Sequence, residues 1–352
     1  MKAASVWRER KFESLTREAL RGTHDGDSLW SAYEHTREDI LSHILPYIAA
    51  QEPGLSDHGS AHIANVIENV GQVLGLSSGG QGYPDAPIHE VKPFERLLLL
   101  LGALLHDIGN IVGRQRHNLV TEEVWRNSGQ NSYGRWEPAD RKSILALCQA
   151  HTGKAANGDD DTLRPLSTSH QYFLGDPVPL AKLAATLRFA DELAEGSQRT
   201  SRFLLFQGLY GAANIDFHRY ADSTHVTIDR AHGRIALDYH IDLSKPGFGT
   251  GDQSRDNLKR LLDLVFKRVL KLEKERVFAR HYAPDWLAFS ETSVVITVER
   301  DYKRVCELAP LVLNDFNLRD ANVARLAHLD AGYDVENILA RIFDKAEKHG
   351  DV

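Results

Sequence analysis

The sequence predicts a mainly α-helical protein in which a helical bundle is followed by a small α+β C-terminal unit. Apolar residues recur at helical spacing over most of the first half of the chain. Beyond Phe206, apolar and polar residues alternate over 224–229 and 234–241, as they do in β-strands. The run LLLLLGALLHDIG at 97–109 is apolar all round but shorter than a membrane span, so we expect a helix buried in the bundle.

Length and composition limit the classes of function. The 352 residues are 42% hydrophobic and 26% charged, which suits one large domain and a smaller one. The formal net charge of −7 argues against a general polyanion-binding surface. The two cysteines, Cys148 and Cys306, fit neither a disulfide framework nor a thiolate zinc site. The N-terminus lacks the pattern of a secretory signal, so we expect a cytoplasmic protein with no membrane partner.

The chain divides into three predicted regions. Residues 1–28 form an N-terminal arm or packing helix, since a charged helical stripe over 5–21 precedes a Gly/Asp-rich loop. Residues 29–205 form the bundle, and 155–177 within it have the composition of a mobile loop that edges a pocket. The predicted helices of the bundle cover about 29–50, 56–74, 97–107, a segment after His117, 140–151 and 179–195.

Residues 206–352 predict an α+β accessory domain. A β-hairpin over 224–229 and 234–241 is followed by a long helix over about 254–280. A further strand at 293–298 precedes two predicted helices, at about 301–312 and 334–347. The histidines scattered through this region form no spacing that indicates a site.

The first candidate site is His106-Asp107, at the end of the apolar run. Ionisable groups on a core helix need a partner, a hydrogen-bond network or a metal, and we expect Gly109 to end this helix in the left-handed conformation. The same dipeptide at His24-Asp25 lies in a Gly/Asp-rich loop with no apolar helix before it, so we interpret it as a solvated turn.

Five successive helical segments place an imidazole or a carboxylate on the face that should be apolar. Taken singly, each histidine is more simply a hydrogen-bonded core residue, and Asp191 has Arg188 as an alternative partner. Taken together they form a sulfur-free ligand set that suits one or two divalent ions of Mn, Mg, Fe, Co, Ni or Zn. The residues are His62, His106, Asp107, His117, His151 and Asp191.

The expected arrangement has two halves. The first ion would be held by His62, His106, Asp107 and Asp191. His117 and His151 would complete a second site, with Asp107 placed to bridge the two.

The order of these residues resembles the HD-domain superfamily of metal-dependent phosphohydrolases. The resemblance covers about residues 29–205 and rests on DHGSAHI at 57–63, LLHDIGN at 104–110, AHTGK at 150–154 and LRFADEL at 187–193. It implies an HD-type helical bundle and the first-ion ligands given above. The positions of His117 and His151 match the additional ligands of two-metal members, whereas the C-terminal unit matches no part of the family.

The resemblance and the ligand set together predict a metal-dependent phosphohydrolase that cleaves a phosphate ester or anhydride of a nucleotide through a metal-activated water. Asp107 would bridge the ions and orient the nucleophile. Arg114, Arg116 and Lys154 are candidates for neutralising phosphate oxygens, and His58 is a candidate for protonating the leaving group.

Three alternatives stay open. The first alternative is a single-strand nuclease or phosphodiesterase of the HD type, the second is a di-iron HD oxygenase, and the third is a nucleotide-sensing regulatory module. The acidic charge favours a nucleotide or a short single-stranded nucleic acid over a long duplex. Apolar helix faces in the C-terminal unit are consistent with a homo-oligomer, in which two copies of the chain would cover them.

Overall fold

A computed structural model shows a mainly α-helical protein with a small β-sheet in its C-terminal part, which confirms the predicted fold class. Contacts divide the chain into two compact units, Met1–Ala194 with Phe278–Ala288 and Glu195–Val277 with Phe289–Val352. The predicted domain boundaries stay predictions. The structure describes residues 7–51, 59–77, 85–128, 132–152, 158–159, 161–211, 214–315 and 325–344.

The helices of the first unit follow the predicted apolar spacing. The predicted helix over 29–50 is divided at Ile44, because Pro46 has no N–H to continue the hydrogen-bond ladder. The described helices are α1 (Lys11–Arg21), α2 (Gly26–His43), α3 (Leu45–Gln51), α4 (Ser60–Val73), α5 (Pro93–Leu105), α6 (Thr121–Ser128), α7 (Pro138–Ala150), α8 (Arg164–Ser167) and α9 (Leu180–Glu192).

Helix α5 is the centre of this bundle. Its leucines at 97–101, 104 and 105 are all buried, and α1, α2, α4, α7 and α9 pack around it. A Cβ at Gly102 would lie 2.4 Å from Leu147 Cδ2 of α7 and 3.0 Å from Leu187 Cδ2 of α9. A larger residue at Gly102 would therefore force the Leu147 and Leu187 side chains to shift.

Gly109 does not end α5 as predicted. It lacks a positive φ, and the chain continues after His106 and Asp107 into a 3-10 helix at Ile108–Val112. A Cβ at Gly109 would lie only 1.9 Å from the carbonyl oxygen of His117. Glycine is needed here for the close approach of two backbone segments, not for a left-handed turn.

Residues 155–177, predicted to be a mobile loop, contain regular structure in their described part. Helix α8 is followed by the antiparallel strands β1 (Gln171–Phe173) and β2 (Asp176–Val178). Leu174 and Gly175, both with positive φ, form the turn between the strands. The Leu174 amide donates to Asp140 Oδ1 at 2.6 Å, which ties this hairpin to α7.

The second unit contains the described α+β structure. Its helices are α10 (Arg202–Phe206), α11 (Ile215–Ser223), most of α12 (Gly251–Tyr282) and α13 (Val335–Leu339). Its strands are β3 (Thr224–Asp229), β4 (Arg234–Asp242), β5 (Glu291–Arg300), β6 (Lys303–Glu307) and β7 (Leu311–Asn314).

The sheet has the order β3-β4-β5-β6, with β7 also paired to β5. Strands β3 and β4 form the predicted antiparallel hairpin, and β4 runs parallel to β5. On the other side of β5, β6 pairs with residues 297–300 and β7 with residues 291–294.

The predicted helix at 301–312 is wrong. Asp301 and Tyr302 both adopt the left-handed conformation and form a two-residue turn between β5 and β6. In β7, Leu311 and Leu313 are buried while Val312 is exposed, which is the alternation of a strand. The last predicted helix, at 334–347, is shorter: α13 continues as one π-helical turn to Asp344, and 345–347 lie outside the described residues.

Membrane-spanning geometry is not found: among the described residues, no helix combines the length and the apolarity that a bilayer crossing requires.

A buried ion pair ties α12 to the sheet of the second unit. Arg276 and Glu273 are both fully buried, with Arg276 Nε 2.8 Å from Glu273 Oε2. Arg276 also donates to the Phe289 carbonyl at 2.6 Å and to Asp315 at 3.0 Å. Thr292 of β5 donates to Glu273 at 2.6 Å. Removing one partner would leave a buried charge without compensation.

We expect Arg276→Ala to lower the free energy of unfolding of the second unit by about 3–5 kcal/mol, because Glu273 would stay buried without its cation. Urea denaturation measures this change. Arg304→Ala is the control, since the Arg304–Glu307 pair is exposed and such pairs contribute roughly 0–1 kcal/mol. Equal losses in the two variants would contradict this account of the buried pair.

Candidate metal centre

The structure brings all six predicted ligand residues together. His62 lies in the first turn of α4, and His106 and Asp107 directly follow α5. His117 opens a 3-10 helix at His117–Leu119, and His151 directly follows α7. Asp191 lies in the last turn of α9.

The first half of the site is formed by two histidines and two carboxylates. Asp107 Oδ2 lies 3.4 Å from His62 Nε2 and 3.3 Å from His106 Nε2. Asp191 Oδ1 lies 3.2 Å from His62 Nε2 and 3.6 Å from His106 Nε2. Both imidazoles therefore direct the same ring nitrogen at the same two carboxylates.

The second half is formed by the other oxygen of Asp107 and two further histidines. Asp107 Oδ1 lies 3.2 Å from His117 Nε2 and 3.6 Å from His151 Nε2. The two Nε2 atoms are 3.1 Å apart. Asp107 thus presents one oxygen to each half, as a bridging carboxylate would.

Backbone carbonyls set the orientation of three of the four imidazoles. In each, Nδ1 contacts the carbonyl three residues earlier: His106 contacts Ala103 at 2.9 Å, His117 contacts Arg114 at 3.0 Å, and His151 contacts Cys148. A carbonyl only accepts, so Nδ1 carries the proton and donates it. The Nε2 atoms are then directed into the site, which is the arrangement expected of metal-binding histidines.

Burial makes this cluster costly without a cation. The side chains of His62 and His106 are fully buried. Among the described residues, His106 Nε2 is one of the buried atoms without a hydrogen-bond partner. Ligand atoms of His62, His106 and Asp191 all lie within 4.8 Å of one another, as do those of His106, Asp107 and His151. The donor set and its geometry therefore fit divalent ions.

The ionisation of the cluster depends on its carboxylates. Burial alone would lower the pKa of His106, but the negative charges of Asp107 and Asp191 outweigh it and raise that pKa well above its usual value. Burial alone would raise the pKa of Asp191, but its interactions with the neighbouring imidazoles of His106 and His62 hold that pKa well below its usual value. Burial lowers the pKa of His151. Without a metal, a proton on His106 thus compensates part of the negative charge of the two carboxylates.

Two buried amides that the sequence interpretation missed connect the ligand-bearing segments. Asn69 Nδ2 of α4 donates to the carbonyl of Ala190, next to Asp191, at 3.0 Å. Asn118, next to His117, donates to the Gln149 carbonyl at the end of α7 at 3.1 Å. The available signal for Asn69 was its position seven residues after His62, which places both on one face of α4.

The other predicted residues have different outcomes. Arg114 and Arg116 are described and exposed, on the segment directly before His117, and their phosphate contacts stay a prediction. His58 and Lys154 lie outside the described residues, so their roles also stay predictions. Arg188, the alternative partner of Asp191, donates to the Thr152 carbonyl and to Thr162.

The His24-Asp25 pair is a solvated turn, as predicted. His24 Nδ1 lies 2.7 Å from Asp25 Oδ2, and the two side chains are 94% and 68% exposed. The same dipeptide therefore has a different environment in the two places, and only His106-Asp107 meets further ligands.

Comparison with known families gives one match. A family model described as HD-CE matches residues 52–265, which is more than half of the chain and includes all six ligand residues. No curated protein and no solved structure matches the chain.

We expect metal binding at the first half of the site to release a proton near neutral pH. The raised pKa of His106 means that the metal-free protein keeps this imidazole protonated at pH 7, and a metal must displace that proton. Metal affinity should therefore rise with pH until His106 has lost its proton in the metal-free protein. Titration calorimetry with Mn²⁺ in two buffers of different ionisation enthalpy measures the proton release.

His24→Ala is the matched control, because it changes the exposed His-Asp pair and leaves the buried one intact. This variant should release as many protons as the parent, and His106→Asn should release fewer. Release that is unaffected by His106→Asn would contradict the assignment of the proton to His106.

Proposed function

Because the chain belongs to the HD-CE family, an HD-type domain family, we propose that it is a metal-dependent hydrolase that cleaves a phosphate ester or anhydride of a nucleotide. The observation that carries the proposal is the position of Asp107, whose two oxygens face two separate pairs of histidines. A single carboxylate shared in this way is the geometry that a two-ion site needs.

Divalent ions held by these residues would lower the pKa of a water and neutralise the oxygens of a phosphate under in-line attack. The proposed ligands of the first ion are His62, His106, Asp107 and Asp191. Those of the second ion are Asp107, His117 and His151.

The chain itself contributes a rigid and largely dry set of ligands. His62 and His106 have no exposed side-chain surface, and the carbonyls of Ala103, Arg114 and Cys148 fix the orientation of the His106, His117 and His151 rings. Little reorganisation is then needed when charge develops on a substrate, which is how a fixed polar site contributes to rate.

The open side of the centre is indicated by exposure. The side chains of Asp191 and His117 are 24% and 15% exposed, whereas His62 and His106 are closed to solvent. We propose that the substrate approaches from this side. Arg114 and Arg116, exposed directly before His117, are the proposed contacts to phosphate oxygens. Lys154 and His58 are proposed from their positions near His151 and His62 in the sequence.

The proposed substrate is a small nucleotide or a short single strand. A net charge of −7 repels a long polyanion, whereas two ions and a few arginines suffice for the phosphates of a small molecule.

The test is a panel of nucleotides and short single-stranded oligonucleotides incubated with Mn²⁺, Mg²⁺, Co²⁺ or Ni²⁺. We expect phosphate or nucleotide to be released from one class of these compounds. Asp107→Asn should lower the rate of release by more than about 100-fold, which exceeds the effect typical of residues that only orient a metal ligand. Chromatography of the products identifies the bond that is cleaved.

Asp25→Asn is the control for this substitution, because it makes the same change in the exposed His-Asp pair and should leave the rate unchanged. Equal rates in Asp107→Asn and the parent would contradict the proposal. Consumption of dioxygen by the iron-loaded protein, with no phosphate released from any compound, would contradict it in favour of an oxygenase.

A further inference from the structure

The segment that carries His151 is held by contacts to three backbone carbonyls at the end of α7. The Cys148 carbonyl accepts from His151 Nδ1, and the Ala150 carbonyl accepts from Thr162 Oγ1 at 2.8 Å. The Thr152 carbonyl, one residue beyond His151, lies 2.8 Å from Arg188 Nη1 and 3.1 Å from Thr162 Oγ1. The backbone on both sides of His151 is therefore held by Thr162 and Arg188.

Arg188 connects this segment to the helix that carries Asp191. It lies on α9, three residues before Asp191, and is buried. The same Nη1 donates to the Thr152 carbonyl and, at 3.0 Å, to Thr162 Oγ1. We call Arg188, Thr162 and the Thr152 carbonyl the brace.

The last turns of α12, which belong to the first unit, contact the brace. The Arg188 guanidinium lies over the Phe278 ring, 4.5 Å from its centroid. The Tyr282 hydroxyl donates to Asp161 Oδ2 at 2.5 Å. Asp161 Oδ1 in turn accepts from the amide of Leu163 at 3.1 Å, so Tyr282 helps to fix the turn that presents Thr162.

We propose that Arg188 is a positioning residue for the second ion: it acts through Thr162 and the Thr152 carbonyl to hold His151 at Asp107 Oδ1, and the end of α12 holds Arg188 and Thr162 in place. This inference rests on the proposed two-ion function and adds to it a structural control of the second ion. The first ion depends less on the brace, because the carbonyls that the brace holds, those of Ala150 and Thr152, flank His151 and none of the proposed first-ion ligands.

The direction in which metal affinity changes distinguishes a positioning role of Arg188 from an effect of its charge. Arg188 is a cation on the helix of a metal ligand, so removing its charge alone would strengthen the binding of a divalent ion. Removing the brace would weaken binding of the second ion, since residues that orient a ligand typically contribute about 10- to 100-fold in metal affinity. The two explanations therefore predict opposite changes for Arg188→Met.

The experiment measures Mn²⁺ binding to the full chain by titration calorimetry, with the EPR spectrum as a second readout, because two bridged Mn²⁺ ions couple and a single ion does not. The variants are Arg188→Met, Arg188→Lys, Thr162→Val, Thr162→Ser and Tyr282→Phe. Arg96→Met is the matched control, since Arg96 also holds backbone through its guanidinium, donating to the carbonyls of Val91 and Ile88 on a segment without a ligand.

We expect Arg188→Met, Arg188→Lys and Thr162→Val to bind the second ion about 10- to 100-fold more weakly and to lose the coupled EPR signal, with the first ion retained. Thr162→Ser should restore both, because it keeps the hydroxyl. Tyr282→Phe should weaken the second ion by about 2- to 10-fold, since it loosens the turn but leaves Arg188 in place. Arg96→Met should bind both ions like the parent.

Unchanged or tighter binding of the second ion in Arg188→Met, or full binding in Thr162→Val, would overturn the role of Arg188. Thr162→Val removes one hydroxyl and no charge, so it tests the brace even where Arg188→Met does not fold. If the parent protein binds two ions and both Arg188→Met and Thr162→Val also bind two with the parent's affinity, this inference is refuted but the proposed function is not. A parent that binds no ion would refute the proposed function with it.

Discussion

The burial of Asp107 is the constraint on which the rest of the first unit depends. A carboxylate enclosed by four imidazoles is stable only if a proton or a metal ion compensates its charge. Its two oxygens face different pairs of histidines, so those four rings must come from elements that meet at one point. The ends of α5 and α7, the start of α4 and the segment at His117 are placed accordingly.

Close packing and backbone hydrogen bonds make this meeting possible. Gly102 lets α7 and α9 lie against α5, and Gly109 lets the segment after Asp107 touch the backbone at His117. The imidazoles of His106 and His151 are turned toward Asp107 by carbonyls in the last turn of the preceding helix, and that of His117 by the carbonyl of Arg114 in the bend before it. The ligand geometry is therefore a consequence of where helices end.

The sequence predicted which residues would cluster, because each of them interrupts a strong apolar pattern. His62, His151 and Asp191 stand where helical spacing calls for an apolar side chain. In the structure His62 and His151 are buried, and Asp191 is partly buried. The sequence predicted less where contacts between distant residues determine the local structure. Asp301 and Tyr302 turn the chain back along β5, which local spacing at 301–312 did not reveal. The brace around Arg188 joins residues 152, 162 and 188, so no local pattern could indicate it.

The most direct test of the two-ion arrangement is anomalous diffraction from a crystal of the protein grown with Mn²⁺. The arrangement predicts two peaks, roughly 3.5–4 Å apart, with Asp107 contributing one oxygen to each. His62, His106 and Asp191 should surround one peak, and His117 and His151 the other. A single peak on the line between Asp107 and one pair of histidines, or density away from Asp107, would contradict it.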